Sequence, residues 1–168
     1  IATFNDAINK RISSDLKFAE AISIPLTFLF LLYVFGGLIA SAMPVIVAVS
    51  AILGAFLILY LISLVTGVSI FALNLVTGLG MGLGIDYSLL MVNGFREELH
   101  AGKSVEESVA QTVKTAGRTV FFSGITVMIS LAALTFFPQM FLKSFGYAGV
   151  SVVAIAILGA LIPLPAIL

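Results

Sequence analysis

Cysteine and tryptophan are missing from the sequence, histidine occurs once, and charged residues make up only 10% of it. Without cysteine there is no disulfide, thiolate metal site or thiol nucleophile, and a single histidine excludes a histidine-based metal cluster within this chain. The formal net charge is zero, so nothing indicates nucleic-acid binding. No nucleophile–base pair and no phosphate-binding loop beside a strand is recognisable. We therefore expect neither an enzyme nor a cofactor.

Apolar residues, in contrast, are unusually abundant: 61% of the 168 residues are hydrophobic, and the mean hydropathy is +1.23. Soluble domains average about 25% charged and 45–50% apolar residues. A soluble core could not hide this much apolar surface, and the long apolar runs are those of membrane-spanning helices. The composition predicts an all-α, multi-pass membrane protein embedded in the lipid bilayer.

The apolar runs predict a bundle of five transmembrane helices. Residues 1–20 precede it as a polar, amphipathic lead-in helix. Very short turns, such as the one at 41–43, make the first three spans antiparallel neighbours, and Pro44 suits the first turn of the second span. Pro163 and Pro165 are expected to kink or stop the last one. The spans are predicted at about 21–40, 44–65, 70–95, 119–137 and 145–168.

The polar stretch 96–118 is the longest loop between the predicted spans. Ser104 followed by Glu107 fits a capping box, the valines after it form one apolar stripe, and Gly117 suits a helix stop. These signals predict an amphipathic helix over 104–117 that lies on the membrane surface. Four basic residues fall on each side of the predicted bundle, so the positive-inside rule decides no orientation.

The glycine-rich stretch 77–93 contains a solitary carboxylate, Asp86. No charged residue occurs between Glu20 and Asp86, and none follows until Arg96. Asp86 lies about 15 Å from Arg96 along a helix, near the middle of a ~30 Å hydrocarbon core. An ionised Asp there costs about 2.5–3.5 kcal/mol on insertion scales, so it must face protein or water. Burial favours the neutral acid, which indicates a proton relay. A purely structural hydrogen-bonding role is the alternative.

The same stretch, taken as a helix, places small residues on two faces. We expect close packing on both faces, with Asp86 pointing into the bundle. Helix packing alone is a sufficient explanation for the glycines. Gly78, Gly82 and Asp86 share one ridge, Asn93 returns to nearly the same face, and Gly80 and Gly84 lie opposite.

Three hydroxyl-bearing residues are candidate neighbours of Asp86 in a relay. Tyr87 follows it directly, and Ser123 and Thr126 in the predicted fourth span are spaced to offer hydroxyls near the same depth. Asn93 is a further candidate on the Asp86 face. Ser and Thr hydroxyls in membrane helices commonly bond to their own backbone, and that alternative stays open for Ser123 and Thr126.

The stretch F-A-L-N-L-V-T-G-L-G-M-G-L-G-I-D-Y-S-L-L-M-V-N-G-F-R-E-E-L, residues 71–99, resembles the signature of the MMPL transporters, a branch of the resistance-nodulation-division superfamily. D-L-K-F-A-E-A-I-S-I-P-L at 15–26, T-A-G-R-T-V at 115–120 and F-F-P at 136–138 have the same character. The resemblance covers essentially the whole chain.

The resemblance implies helices two to six of the first half of a two-half transporter. Residues 1–20 would then end an outer porter domain, and 96–118 would be cytoplasmic. Asp86 and Tyr87 match the Asp-Tyr pair that, in the family, faces a second such pair from the other half to relay protons. That half, the first helix and the porter domains are not in this chain.

The resemblance favours a proton-motive-force-driven exporter of lipids or hydrophobic small molecules in a bacterial inner membrane. Its expected partners are protons, the lipid substrate and the missing half. An alternative is a sterol- or lipid-sensing membrane domain that binds without pumping, because related eukaryotic proteins use a similar five-helix block. A scaffold module that is stable only with a partner subunit is a third, weaker hypothesis.

Overall fold

The computed structural model describes residues 38–168 continuously and, before them, only positions 14, 18, 21–23, 25–27, 29, 30 and 33. Those isolated positions are helical. The predicted lead-in helix at 1–20 and most of the predicted first span at 21–40 otherwise lie outside the described residues. The chain divides into two compact units, 1–41 and 42–168, and the second contains the candidate site.

Every regular element in the continuous stretch is a helix, and four helical segments are long and apolar enough to cross a membrane: Ala42–Ser63, Phe71–His100, Val105–Phe136 and Met140–Ile167. The predicted all-α membrane bundle is confirmed. The elements are α1 (Leu38–Ser63), α2 (Phe71–His100), α3 (Val105–Thr112), a π-helical turn (Val113–Gly117), α4 (Arg118–Ala132), a 3-10 turn (Ala133–Phe136), α5 (Met140–Leu161) and α6 (Pro163–Ile167).

Small residues bring α1 against α2. A Cβ added to Gly84 of α2 would lie 2.6 Å from the Cα of Ala48, and one added to Gly80 would lie 2.6 Å from Ile52 Cγ1. Ala51 and Ala55 continue this fully buried side of α1. In lipid, close backbone approach through small residues replaces the hydrophobic effect as the source of helix–helix packing.

Helix α5 is the most enclosed element and contacts both α2 and α4. Its buried face is again made of small and β-branched residues, including Ala148, Val152 and Ala156. A Cβ added to Gly149 would lie 2.6 Å from Leu131 Cδ1 in α4. The core of the unit is therefore the seam where α5 meets α1, α2 and α4.

A buried serine joins the turn before α2 to the start of α5. The Ser144 hydroxyl accepts a hydrogen bond from the Ser69 N–H at 2.9 Å and donates to the Met140 carbonyl at 2.8 Å. Next to it, the rings of Phe71 and Phe141 meet edge to face at 5.9 Å. These contacts hold the end of the bundle opposite the 96–118 loop.

Two expectations about helix boundaries are wrong. Residues 41–43 are helical, and Pro44 lies inside α1 rather than at its start; membrane helices tolerate an interior proline because neighbours can satisfy the freed backbone groups. Gly117 does not stop the loop helix, since the chain remains helical from Val105 to Phe136. Gly117 instead permits close packing: an added Cβ would lie 3.2 Å from Leu161 Cδ2.

The start of α3 agrees with the prediction. Ser104 and Glu107 form the capping box. Helix α3 contacts α2, yet its buried side chains are Ser108 and Thr112, whereas Val105 is 55% exposed. The contact of α3 with α2 therefore lies on the side of Ser108 and Thr112, and Val105 lies on the exposed side.

Candidate functional site

Asp86 lies at the middle of α2 on a face that is exposed along the helix. We call this face the Asp86 ridge, and its residues share the same outward direction. A Cβ added to Gly78 or Gly82 would meet nothing within 4 Å. The ridge consists of Asn74, Gly78, Gly82, Asp86 and Asn93, all exposed.

The expectation that both glycine faces of α2 are packed, with Asp86 pointing into the bundle, is wrong for the described residues. Only the Gly80/Gly84 face contacts α1 and α5. The spacing identified two faces suited to close approach, but it could not tell which of them finds its neighbour within this chain. Asn93 lies on the ridge as predicted, about 10 Å along the helix from Asp86.

Tyr87 points away from the ridge into the bundle, because consecutive residues are about 100° apart on a helix. Its side chain is only 6% exposed. Its hydroxyl reaches α4, where a Cβ added to Gly124 would lie 3.3 Å from it. The hydroxyl lies within interaction range of the Ser123 side chain, although no hydrogen bond of normal length and angle joins it to a described residue. The adjacent Asp86 and Tyr87 thus link an exposed surface to a buried one.

The two hydroxyls predicted near Asp86 behave differently. Ser123 is exposed and lies beside the Tyr87 hydroxyl. Thr126 is exposed and donates to the Phe122 carbonyl at 2.9 Å, as the alternative of bonding to its own backbone anticipated. The structure therefore brings Ser123 next to the candidate pair and gives Thr126 an intrahelical bond.

Sequence reasoning missed that these two residues belong to a longer row, which we call the hydroxyl face. Its members are exposed, and their spacing of four, four, three and four residues is a helical repeat that was visible in the sequence. The hydroxyl face consists of Thr115, Thr119, Ser123, Thr126 and Ser130.

The buried side chain of Ser88, close to the site, is satisfied locally. Ser88, fully buried one turn from Gly84, donates to the Gly84 carbonyl at 2.6 Å. At the loop end of α2, His100 Nδ1 donates to the Arg96 carbonyl at 2.6 Å, and Lys103 pairs with Glu98. His100 and the Glu98–Lys103 pair at this end of the helix thus have local partners, whereas Asp86 is the one charged residue at mid-helix.

A bundle of long apolar helices with one carboxylate at mid-span defines a multi-pass membrane protein, and its four apolar helices fit a bacterial inner membrane. The MMPL family matches residues 1–168 of the chain. The chain belongs to the MMPL family, as the resemblance at 71–99 indicated.

Named relatives agree with this assignment. A membrane protein of Streptomyces coelicolor is 50% identical over 161 residues, which are 96% of this chain. The trehalose monomycolate exporter MmpL3 of Mycolicibacterium smegmatis is 45% identical over 86% of the chain, and the mycolic acid-containing lipids exporter MmpL11 of the same organism is 33% identical over 92%. The chain spans only 23%, 14% and 16% of the lengths of these three relatives.

Proposed function

We propose that this chain is part of a proton-motive-force-driven exporter of lipids or hydrophobic small molecules, with Asp86 as the group that gains and loses the proton. The observation that carries this proposal is the position of Asp86, the only charged residue of its span before Arg96, on an exposed, glycine-flanked ridge. An intramembrane carboxylate is characteristic of proton relays.

Protonation of Asp86 would remove a charge from the bundle surface. The flanking Gly78 and Gly82 leave open space on the same ridge, so an opposing helix could approach α2 closely here when the carboxyl is neutral. A charged Asp86 would require water or a hydrogen-bond donor between the helices. This difference couples protonation to helix packing.

The missing half of the transporter is the proposed occupant of the Asp86 ridge. The ridge is exposed over about five helical turns, and its exposed polar residues, Asn74, Asp86 and Asn93, are unsuited to lipid. In the proposed complex a second Asp-Tyr pair from the other half faces Asp86 on this ridge. Protons pass between the two pairs.

The proposed substrate class rests on the relatives, two of which are named as exporters of trehalose monomycolate and of mycolic acid-containing lipids. We infer a lipid or similarly hydrophobic substrate for the full-length protein to which this chain belongs. The chain has the apolar outer surface that operation inside a bilayer requires, with large exposed side chains such as Leu53, Leu57 and Ile129.

The test compares the full-length wild-type protein with Asp86→Asn in sealed vesicles. Proton flux is followed with a trapped pH-sensitive dye, and export is followed with trehalose monomycolate as the probe lipid. Glu106→Gln is the matched control, because it also neutralises one carboxylate but at an exposed position in the first turn of α3. We expect Asp86→Asn to lose both activities and Glu106→Gln to keep them, at equal membrane insertion.

Normal proton flux and export by Asp86→Asn would refute the proposed role of Asp86. The lipid-sensing alternative would then be favoured if the protein still binds the probe lipid, with an affinity independent of pH and of the Asp86 substitution.

A further inference from the structure

Helix α4 and the π-helical turn before it carry basic and large apolar residues along one side. Within α4 these residues lie within about 100° of one another around the axis, at 3.6 residues per turn, and the first of them lies one turn earlier. We call this side the basic-aromatic stripe. It consists of Lys114, Arg118, Phe121, Phe122, Ile125 and Ile129.

The two cations at the loop end of the stripe have no acidic partner among the described residues. Both side chains are exposed, and the ion pair of the loop joins Lys103 to Glu98 instead. No acidic residue occurs between Glu107 and Leu168, and the Glu107 carboxylate is held in the capping box at the start of α3. The positive charge at this end of α4 is therefore suited to an anion from outside the described residues.

Arg118 lies over an aromatic ring at the point where α4 enters its apolar stretch. The guanidinium carbon is 5.6 Å from the centroid of the Phe122 ring, and this ring meets the Phe121 ring edge to face at 5.8 Å. A cation–π contact orients the guanidinium and leaves its charge in place. Cations at the level of the lipid headgroups, with apolar stems and aromatic rings beside them, are typical of a membrane interface.

Beyond the cations, the stripe is made of large apolar side chains. Phe121, Phe122 and Ile129 are 45%, 56% and 67% exposed, on the least enclosed of the four spanning segments, Val105–Phe136. From Arg118 to Ile129 the helix rises about 16 Å, which is about half of a ~30 Å hydrocarbon core. The stripe thus has the length of the acyl chains of one leaflet.

The size of these side chains favours lipid over another helix as the occupant. Helix contacts inside a membrane rely on small residues that let two backbones approach closely, as on the packed glycine face of α2. The stripe contains no glycine, alanine or serine. An occupant must instead bring an anionic group to one end of the stripe and a flexible apolar chain to the rest of it.

We propose that the basic-aromatic stripe binds an anionic phospholipid of the leaflet on the loop side, with the phosphate held by Lys114 and Arg118 and an acyl chain lying along the apolar part of the stripe. A guanidinium can donate two parallel hydrogen bonds to one phosphate, and the ammonium group adds a second charge. Anionic membrane lipids favour each nearby cation by about fivefold in binding. This lipid is a resident component of the bundle rather than its cargo, so the proposal goes beyond the function proposed above and does not depend on proton coupling.

The test uses the full-length protein in phosphatidylcholine vesicles that contain a small fraction of phosphatidylglycerol with a photoreactive diazirine in its acyl chain. After illumination, mass spectrometry identifies the labelled peptide. Unlabelled phosphatidylglycerol, phosphatidylcholine with the same chains and inorganic phosphate compete in separate arms. We expect label between Phe121 and Ile129, displaced at least about fivefold more effectively by phosphatidylglycerol than by phosphatidylcholine, and not displaced by inorganic phosphate.

Two double variants test the role of the cations. Lys114→Gln/Arg118→Gln removes both of them, and Lys103→Gln/Lys143→Gln is the matched control, because it removes two positive charges elsewhere. At equal membrane insertion, we expect labelling of α4 to fall at least about tenfold in the first and to stay within about twofold of wild type in the control. Labelling does not require transport, so a normally exporting Asp86→Asn would refute the proposed function and leave this proposal intact.

Equal labelling of the two double variants would overturn the proposal, and so would equal competition by the two phospholipids. Displacement by inorganic phosphate would also overturn it, because that outcome assigns the cations to a soluble anion. Label that is absent from α4 and confined to other helices would show that protein covers the stripe, with the same consequence.

The salt dependence of labelling is an independent measurement. The screening length falls from about 8 Å at about 0.15 M salt to about 3 Å at about 1 M. We therefore expect the preference for phosphatidylglycerol to weaken at least about twofold over this range in wild type and to stay unchanged in Lys114→Gln/Arg118→Gln. A wild-type preference that is insensitive to salt would overturn the role of the two charges.

Discussion

The two glycine faces of α2 have the same composition and opposite surroundings. Gly80 and Gly84 lie against α1 and α5, with no room for a methyl group, whereas Gly78 and Gly82 face open space. The first face is occupied within the chain, and the second carries Asp86, the only charged residue of the span before Arg96. The difference shows that a small-residue pattern reports a capacity for close approach, and that the neighbour has to be found in the structure.

The largest expected effect comes from a substitution that disrupts the packed Gly80/Gly84 face. We expect Gly84→Val to lower the stability of the protein by about 1–3 kcal/mol or more, because overpacking a tight site is destabilising and the obstructing atom, Ala48 Cα at 2.6 Å, is backbone and cannot rotate away. Gly82→Val is the matched control on the open face. Thermal unfolding of both variants in detergent, with insertion measured separately, checks the contrast. Equal stability of the two variants would contradict it.

A second substitution tests the packed side of α2 at the point where Tyr87 contacts Gly124 of α4. A Cβ at Gly124 would lie 2.3 Å from Ile157 Cδ1, the end of a flexible side chain. We therefore expect Gly124→Ala to destabilise the protein by about 1–2 kcal/mol. The double variant Gly124→Ala/Ile157→Val should recover part of this loss, since it shortens the obstructing side chain. Additive losses in a double-mutant cycle would count against a direct contact.

Gly78→Ala tests whether the second face is open in the assembled protein. If it is, replacing a helical glycine by alanine should stabilise by about 0.5–1 kcal/mol. If the missing half covers the ridge tightly, the same change should weaken the association of the two halves instead. Thermal unfolding of this chain alone and of the full-length protein separates the two cases. We expect Gly78→Ala to stabilise this chain alone and not to stabilise the full-length protein.

The smallest effect on stability is expected for Tyr87→Phe. The substitution removes a hydroxyl that lies near Ser123 but makes no hydrogen bond of normal geometry to a described residue, so the free energy of unfolding should change by less than about 1 kcal/mol. Under the proposed function, proton flux should nevertheless fall. A large loss of stability would show that the hydroxyl has a structural partner, and unchanged flux would remove Tyr87 from the relay.

Much of the bundle could be predicted from composition and periodicity. The apolar runs identified the four spanning helices of the described stretch, and Ser104 with Glu107 marked the start of α3 because a capping box is a local signal. Gly117 and Pro44 were misassigned as helix boundaries because each residue type has a second role, in close packing or inside a membrane helix, that depends on neighbours distant in sequence.

The candidate site was predictable only in part, for the same reason. The sequence alone identifies Asp86 as a solitary charge in an apolar run, and it also predicts that Asp86 and Tyr87 lie about 100° apart on the helix. The exposure of the ridge and the contact of Tyr87 with Gly124 depend on how α2, α4 and α5 meet. The hydroxyl face was encoded in a plain helical repeat, and only its exposure in the structure separates it from ordinary buried serines and threonines.

The π-helical turn at Val113–Gly117 sets how the faces of α4 are rotated relative to those of α3. A π turn takes one more residue than an α turn, so it offsets the faces of α3 and α4 by about 100° relative to an uninterrupted helix. Ser108 and Thr112 face α2 before the turn, and Val120 and Gly124 are buried after it. Deleting one residue within the turn would act as a rotation: it would swing the rest of α4 around its own axis and carry the hydroxyl face away from Tyr87.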